Sequence, residues 1–209
     1  MESPQAPKKP AKGTWNVTYV ILGIAVVAIL IFAATTVFYY NQAKDYSDAK
    51  YKAQAVLVVD AYGAANDTKA HIEIMLNDSW SLGSRRDSAL FAQGEANLMA
   101  GDCNAIAYMY PSDDERYETF YALSQAIESV SWMVGEGYAQ LNGPGHTMNA
   151  TVTEALNSTA AILGDIYVLM LEGYDTEGDW LNEPYSMVDR MDLGAIGDAV
   201  DALNAALGA

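Results

Sequence analysis

The residues best placed to do chemistry in this sequence are three alternating acids, Asp175, Glu177 and Asp179. They follow a predicted helix and have the spacing of the first three ligands of a helix-flanked Ca²⁺-binding loop. In that motif the sixth position is glycine and the twelfth is glutamate, whereas here they are Trp180 and Ser186. The pattern therefore leaves two interpretations open, a Ca²⁺ site on these three acids or a solvated acidic loop.

Catalytic constellations are otherwise missing from the sequence. The two histidines, His71 and His146, belong to no H-E-x-x-H or Glu-x-x-His pattern, and no G-x-S-x-G, phosphate-binding or dinucleotide-binding glycine pattern occurs. The lone cysteine, Cys103, shares a helical face with Met99 and Ile106, which indicates a buried thiol. We therefore expect that the chain is not an enzyme and, Ca²⁺ aside, needs no cofactor.

Four asparagines stand in N-x-Ser/Thr acceptor sequences for N-glycosylation. They are Asn66, Asn77, Asn149 and Asn157. Four acceptors exceed what the Asn, Ser and Thr content of this region leads us to expect. They favour exposure to glycosylation machinery, with coincidence as the alternative.

An uncharged apolar segment, residues 17–39, lies close to the amino end of the chain. As a helix it would span roughly 34 Å at ~1.5 Å per residue, which is enough to cross a hydrocarbon core of about 30 Å. Aromatic residues lie at both of its ends, and it is longer than the apolar part of a cleaved signal peptide. We predict a disordered cytoplasmic tail over residues 1–13, a transmembrane signal-anchor helix over 14–41, and contact with membrane lipid.

Charge indicates which side of the membrane the rest of the chain occupies. After Asn41 there are 26 Asp or Glu and 8 Lys or Arg, and no lysine occurs from Ala70 onward. Lysines flank both ends of the anchor almost equally, and the free amino group favours a cytoplasmic amino terminus. We therefore expect residues 42–209 to form an acidic extracytoplasmic domain, which would repel nucleic acid. Adaptation to a saline exterior is an alternative cause of the acidity.

Apolar periodicity predicts helices throughout this domain. The anchor helix is expected to continue to about Leu76, and further helices over 85–110, from Ser112 into the 140s, over 148–174 and over 195–207. The third has the clearest seam, and the second is expected to turn Phe91 and Leu98 inward. Short connections require antiparallel neighbours, so the predicted fold is all-α: a transmembrane helix that continues into an antiparallel bundle of about four long helices, with a short C-terminal helix.

These features favour a single-pass membrane protein that binds protein partners, as an accessory or structural subunit of a membrane or cell-surface complex. Two resemblances offer alternatives. Lys12-Gly13 before a long apolar helix resembles the leader-peptide cleavage site of archaeal type IV pilin precursors, which implies a filament subunit. The layout of an anchor that continues into a helical bundle is similar to chemoreceptor ectodomains, which implies ligand sensing with a partner chain.

Overall fold

The computed structural model describes residues 17–172 and 187–208, and every regular element in these ranges is helical. The all-α prediction is therefore confirmed. The helices are α1 (Val17–Leu76), α2 (Leu82–Ala107), α3 (Glu115–Asn142), α4 (Ala150–Glu172) and α5 (Leu193–Leu207), with a single 3₁₀ turn at Val188–Arg190.

The chain divides into two compact units, Met1–Tyr46 and Ser47–Ala209. The described part of the first unit is the amino-terminal part of α1, whereas the second unit holds the rest of α1 and all the other helices. The predicted tail over residues 1–13 lies outside the described residues.

Helices α2 and α3 are antiparallel neighbours in the second unit. Near the start of α2, Arg86 donates to the carbonyl oxygen of Leu141, close to the end of α3 (Nη2 to O, 2.7 Å). Further along α2, the carbonyl oxygen of Ala100 accepts from the hydroxyl of Ser124, early in α3 (2.9 Å). The two helices therefore run in opposite directions.

Helix α1 closes the bundle against α4 in the same antiparallel sense. The rings of Tyr62 and Tyr167 meet edge to face with centroids 5.8 Å apart. One to two turns later in α1, the side chain of Lys69 lies against Gly164, which is earlier in α4. The bundle is therefore an up-down-up-down arrangement of four helices, which short connections permit.

Helix boundaries follow from side chains that cap the free backbone groups. The hydroxyl of Ser81 accepts from the N–H of Ser84 and starts α2 three residues before the predicted beginning. Helix α3 is capped by Asp114 and not by the expected Ser112, with Glu115 in its first turn. A carboxylate at this place also interacts favourably with the positive end of the helix.

The predicted seam of α3 is confirmed, whereas that of α2 is partly wrong. The apolar residues that recur at helical spacing on the predicted inner face of α3 are all fully buried: Phe120, Leu123, Ile127, Val130, Val134 and Leu141. On α2, however, Phe91 is 60% exposed and Leu98 is 51% exposed. The buried face of α2 is instead rich in alanine, and it includes Ala89, Ala92 and Ala96. Small side chains bring the backbones of α2 and α3 close together, so this face is narrow and the two large residues remain outside it.

One helix glycine marks a close approach of three helices. A Cβ atom added to Gly137 of α3 would collide with the Cε atom of Met75 and would lie 3.1 Å from the Sδ atom of Met148 and 3.2 Å from Cδ1 of Leu156. In contrast, a Cβ atom at Gly63 or at Gly94 would have no neighbour within 4 Å. Close packing therefore accounts for glycine at position 137, while the open glycines are simply tolerated.

Candidate functional site

The amino-terminal part of α1 presents large apolar side chains that no described residue covers. From Ile21 to Tyr40 each of them is between 50% and 74% exposed, and the segment carries no charge. Its polar groups are satisfied internally: Thr35 and Thr36 both donate to the carbonyl oxygen of Phe32, at 2.9 and 2.8 Å. Internal satisfaction of this kind is what a bilayer requires of a spanning segment.

Two helices in the described ranges are long and apolar enough to cross a membrane, α1 and α4. They differ in what their apolar residues contact. Helix α4 buries Leu156, Leu163 and Ile166 in the core of the bundle and exposes Glu154 and Asp165. Its apolar character is therefore explained by packing in the bundle, whereas no described residue covers the apolar side chains of the first part of α1.

The acids predicted to bind Ca²⁺, Asp175, Glu177 and Asp179, lie outside the described residues. Within the described ranges no group of three or more His, Cys, Asp or Glu side chains could hold a metal ion. The Ca²⁺ site remains a prediction.

The two histidines and the cysteine are packed against or hydrogen-bonded to other residues of the bundle. The ring of His71 stacks on Phe91 with centroids 5.3 Å apart, and its Nδ1 atom is buried without a hydrogen-bond partner. His146 lies beside Arg86, and both approach the carbonyl oxygen of Leu141, which closes the end of α3. Cys103 is buried as predicted, and burial raises the pKa of its thiol far above the usual range. It therefore stays protonated and unreactive.

The four glycosylation acceptors differ in how accessible their sequences are. All four asparagines are exposed. Asn77 lies in the turn between α1 and α2, and Asn149 caps α4 by accepting from the N–H of Val152. Asn66 and Asn157 lie inside helices, and the threonines two residues after them are fully buried. Use of these acceptors remains a prediction, and Asn77 and Asn149 are the two that lie outside helices.

A charged cluster joins the ends of several helices around the ring of Tyr110. The ammonium of Lys50 lies 4.8 Å from the ring centroid, and the guanidinium of Arg116 lies 4.3 Å from it. Arg116 also forms two hydrogen bonds with Asp114, at 2.8 and 2.6 Å, and pairs with Asp189. The hydrogen bonds from Arg116 lower the pKa of Asp114 to about 2. These opposite charges neutralise one another, so the cluster stabilises the fold. The guanidinium of Arg116 already donates to two carboxylates and is not available to an anionic ligand.

Two carboxylates approach each other across α1 and α2. Desolvation, and then the negative charge of Asp60, raise the pKa of Asp102 to about 6. The Oδ2 atom of Asp102 is buried without a hydrogen-bond partner. The pair opposes folding when both acids are charged.

The surface feature that sequence reasoning missed is a groove at Trp132, whose side chain is 82% exposed. We call it the Trp132 groove. It has a volume of about 330 Å³ and is lined by Ser129, Trp132, Met133, Glu136, Val152 and Leu207. The lining residues come from α3, α4 and the end of α5, so the groove is a product of tertiary structure and combines apolar walls with a carboxylate.

No family model, curated protein or solved structure matches this chain. Its function must therefore be argued from its own residues.

A sequence signal for Trp132 did exist. The inward positions of α3 include Val130 and Val134, so Trp132 lies off the seam and must face outward. It also stands one turn from an acid on each side, Glu128 and Glu136. Trp132 is thus a large aromatic residue on the surface of the bundle, and aromatic residues are enriched at protein interfaces.

Proposed function

We propose that this chain is a single-pass membrane-anchored protein whose acidic helical bundle lies outside the cytoplasm and acts by binding a protein partner. It would serve as an accessory or structural subunit of a membrane or cell-surface complex, by recognition and not by catalysis. The observation that carries the proposal is the uncharged helical segment from Ile21 to Tyr40, whose large apolar side chains are at least half exposed.

Burial of that segment in lipid is the simplest way to remove its apolar surface from water. Each square ångström of apolar surface removed from water contributes about 25 cal/mol, and the segment holds thirteen large exposed apolar or aromatic side chains. Its internally bonded threonines add no unsatisfied polar group to the transfer.

The external orientation is supported by charge and by the acceptor asparagines. The region after Asn41 carries 26 acids and 8 basic residues, and the last lysine is Lys69. Anionic headgroups on the cytoplasmic side would repel such a domain. The four acceptor asparagines are all exposed on the bundle.

Binding as the mode of action is supported by the exposed aromatic and apolar side chains of the bundle. Trp132 is 82% exposed, and Phe91 and Leu98 also extend into solvent. Exposed tryptophans near a concave apolar surface are the residues that contribute most at protein interfaces.

Insertion is tested with the double substitution Val27→Arg/Leu30→Arg. Two arginines near the centre of the span oppose insertion by roughly 5 to 7 kcal/mol, so the variant should leave the membrane fraction after alkaline extraction. The matched control Val27→Leu/Leu30→Val should stay in it. If the arginine variant were retained as firmly as the control, the anchor would be wrong.

Orientation is tested with protease added outside intact cells. A tag fused after Ala209 should be removed, and a tag before Met1 should be protected. The opposite result would refute the external bundle. Amino-terminal sequencing of the native protein separates this proposal from the filament alternative, because a chain that starts at Thr14 would show processing after Gly13.

A further inference from the structure

Helix α5 lies along the furrow between α3 and α4. Its first residue, Leu193, lies near Glu115 and Arg116 at the start of α3. Its last residue, Leu207, lies beside Met133 of α3 and Val152 of α4. Helix α4 begins at Ala150, so the furrow ends within one turn of Val152, where the N–H of Asn149 donates to the Oε1 atom of Gln140 on α3 (2.7 Å). The Trp132 groove lies at this end of α5, beside the exposed side of α3 that carries Trp132.

The groove has the side chains of an interface and the size of a small binding site. Its volume of about 330 Å³ lies at the lower end of the range for ligand sites, which is enough for a few apolar side chains. Trp132 forms one wall and is 82% exposed, although tryptophan gains a great deal from burial. The lining residues of α3 run from Ser129 to Glu136, along two turns of the helix, so a partner helix can lie beside them.

The charges around the groove are negative. Glu128 and Glu136 are exposed one turn before and one turn after Trp132. Helix α5 ends here at Gly208, and the last carbonyl groups of a helix carry partial negative charge. The positive start of α4 is occupied by Asn149, which accepts from the N–H of Val152. After Arg116 the sequence has a single Lys or Arg, Arg190, which precedes α5 and so belongs to its opposite end.

We propose that the Trp132 groove binds a basic amphipathic helix of a partner protein. The apolar face of that helix would lie against Trp132, Met133 and Val152, and its Lys or Arg side chains would meet Glu128 and Glu136. This inference rests on the proposed function, because it names the class of partner that the bundle binds. A second copy of the chain is a poor occupant, since each copy has a net charge of −16 and the rims of the groove would repel it.

The test uses the full chain in nanodiscs of uncharged lipid. The probe is a synthetic amphipathic helix of leucine and lysine of about four turns, and the control peptides are its scrambled sequence and a leucine/glutamate helix of the same pattern. Binding is measured by fluorescence anisotropy of the labelled peptide. The leucine/lysine helix should bind, and both control peptides should bind at least about tenfold more weakly.

Three variants locate the site. Trp132→Ala should weaken binding of the leucine/lysine helix at least about tenfold, as expected for an aromatic residue central to an interface. Glu128→Gln/Glu136→Gln should weaken it and reduce its dependence on salt. Trp80→Ala is the matched control, because Trp80 is an exposed tryptophan in the turn between α1 and α2, and it should bind as the wild type does.

Four results would overturn the inference. They are no binding of the probe by the wild type, equal binding by Trp132→Ala and the wild type, equal binding of the scrambled or acidic peptide, and self-association through Trp132, which would make a second copy the occupant. Circular dichroism of each variant checks that the bundle is folded. If the groove inference is wrong, peptide binding fails, but the membrane-retention and protease assays still give the expected results. If the proposed anchoring and orientation are wrong, those two assays fail and the peptide still binds.

Discussion

Replacing Asp102 by asparagine is expected to stabilise the bundle at neutral pH. The substitution keeps the shape of the side chain and removes a charge that desolvation and Asp60 disfavour. The pKa of Asp102 rises from 3.8 to about 6 in the folded state. A shift of about two units corresponds to roughly 3 kcal/mol, and solvent screening of this partly exposed pair lowers the expected gain to about 1 to 2 kcal/mol.

The sign of the pH dependence follows from the raised pKa. Below about pH 4, Asp102 is protonated in both the folded and the unfolded state and does not change the free energy of unfolding. As the pH rises through about 6, Asp102 ionises at a cost that only the folded state carries, so the free energy of unfolding falls. The free energy of unfolding of the wild type should therefore fall over this window relative to that of Asp102→Asn. Asp114, whose pKa is lowered to about 2, acts in the opposite direction, so only the difference between the two proteins isolates Asp102.

The assay is urea unfolding of the full chain in mild detergent, followed by tryptophan fluorescence at pH 4 and pH 7.5. Asp60→Asn should give a smaller gain, because it removes only the coulombic part of the effect. Asp165→Asn, at an exposed site on α4, serves as the control and should change little. Equal stability of Asp102→Asn and wild type at pH 7.5, or a gain of the same size at pH 4, would refute the argument.

Three further predictions concern packing, capping and modification. Gly94→Ala should stabilise the bundle by up to about 1 kcal/mol in urea unfolding, because its Cβ atom would have open space, whereas Gly137→Ala should stabilise it less, because the side-chain ends of Met75, Met148 and Leu156 must move to admit the Cβ atom. Equal effects would contradict the packing argument. Arg85→Ala should lower the free energy of unfolding by about 1 to 3 kcal/mol and so reduce the melting temperature, because the buried Arg85 donates to the carbonyl oxygen of Met75 at the end of α1 (2.8 Å). An unchanged melting temperature would exclude this cap. In a host that glycosylates external proteins, Asn77→Gln should abolish most of the mobility shift on a gel, and a shift that persists in full would show that another acceptor is used.

The sequence predicted the helices well because their periodicity and caps are local. The seam of α3 and the end of α1 at Leu76 depend on residues within a few turns of one another. The inner face of α2 was predicted wrongly, because Phe91 and Leu98 are seven residues apart and look like a seam. Alanines fill the true interface, and which stripe of a helix is covered depends on how closely its neighbour approaches.

The Trp132 groove could not be predicted from the sequence in the same way. Trp132 can be recognised as an outward residue, but the groove also needs Val152 of α4 and Leu207 of α5. Its existence depends on where α5 ends along α3, which is a property of packing between segments distant in sequence. The pairing of Asp60 with Asp102 has the same origin.

The boundary between the two compact units falls inside α1, between Tyr46 and Ser47, and not in a loop. A protease can cleave a helical segment only after it unwinds locally, so release of the bundle into the medium would require opening of α1 at this point. The liberated piece would begin with Ser47 and Asp48, residue types that favour the start of a helix. If the proposed function is right, cleavage at this position would release a binding domain whose first helix has its own start signal.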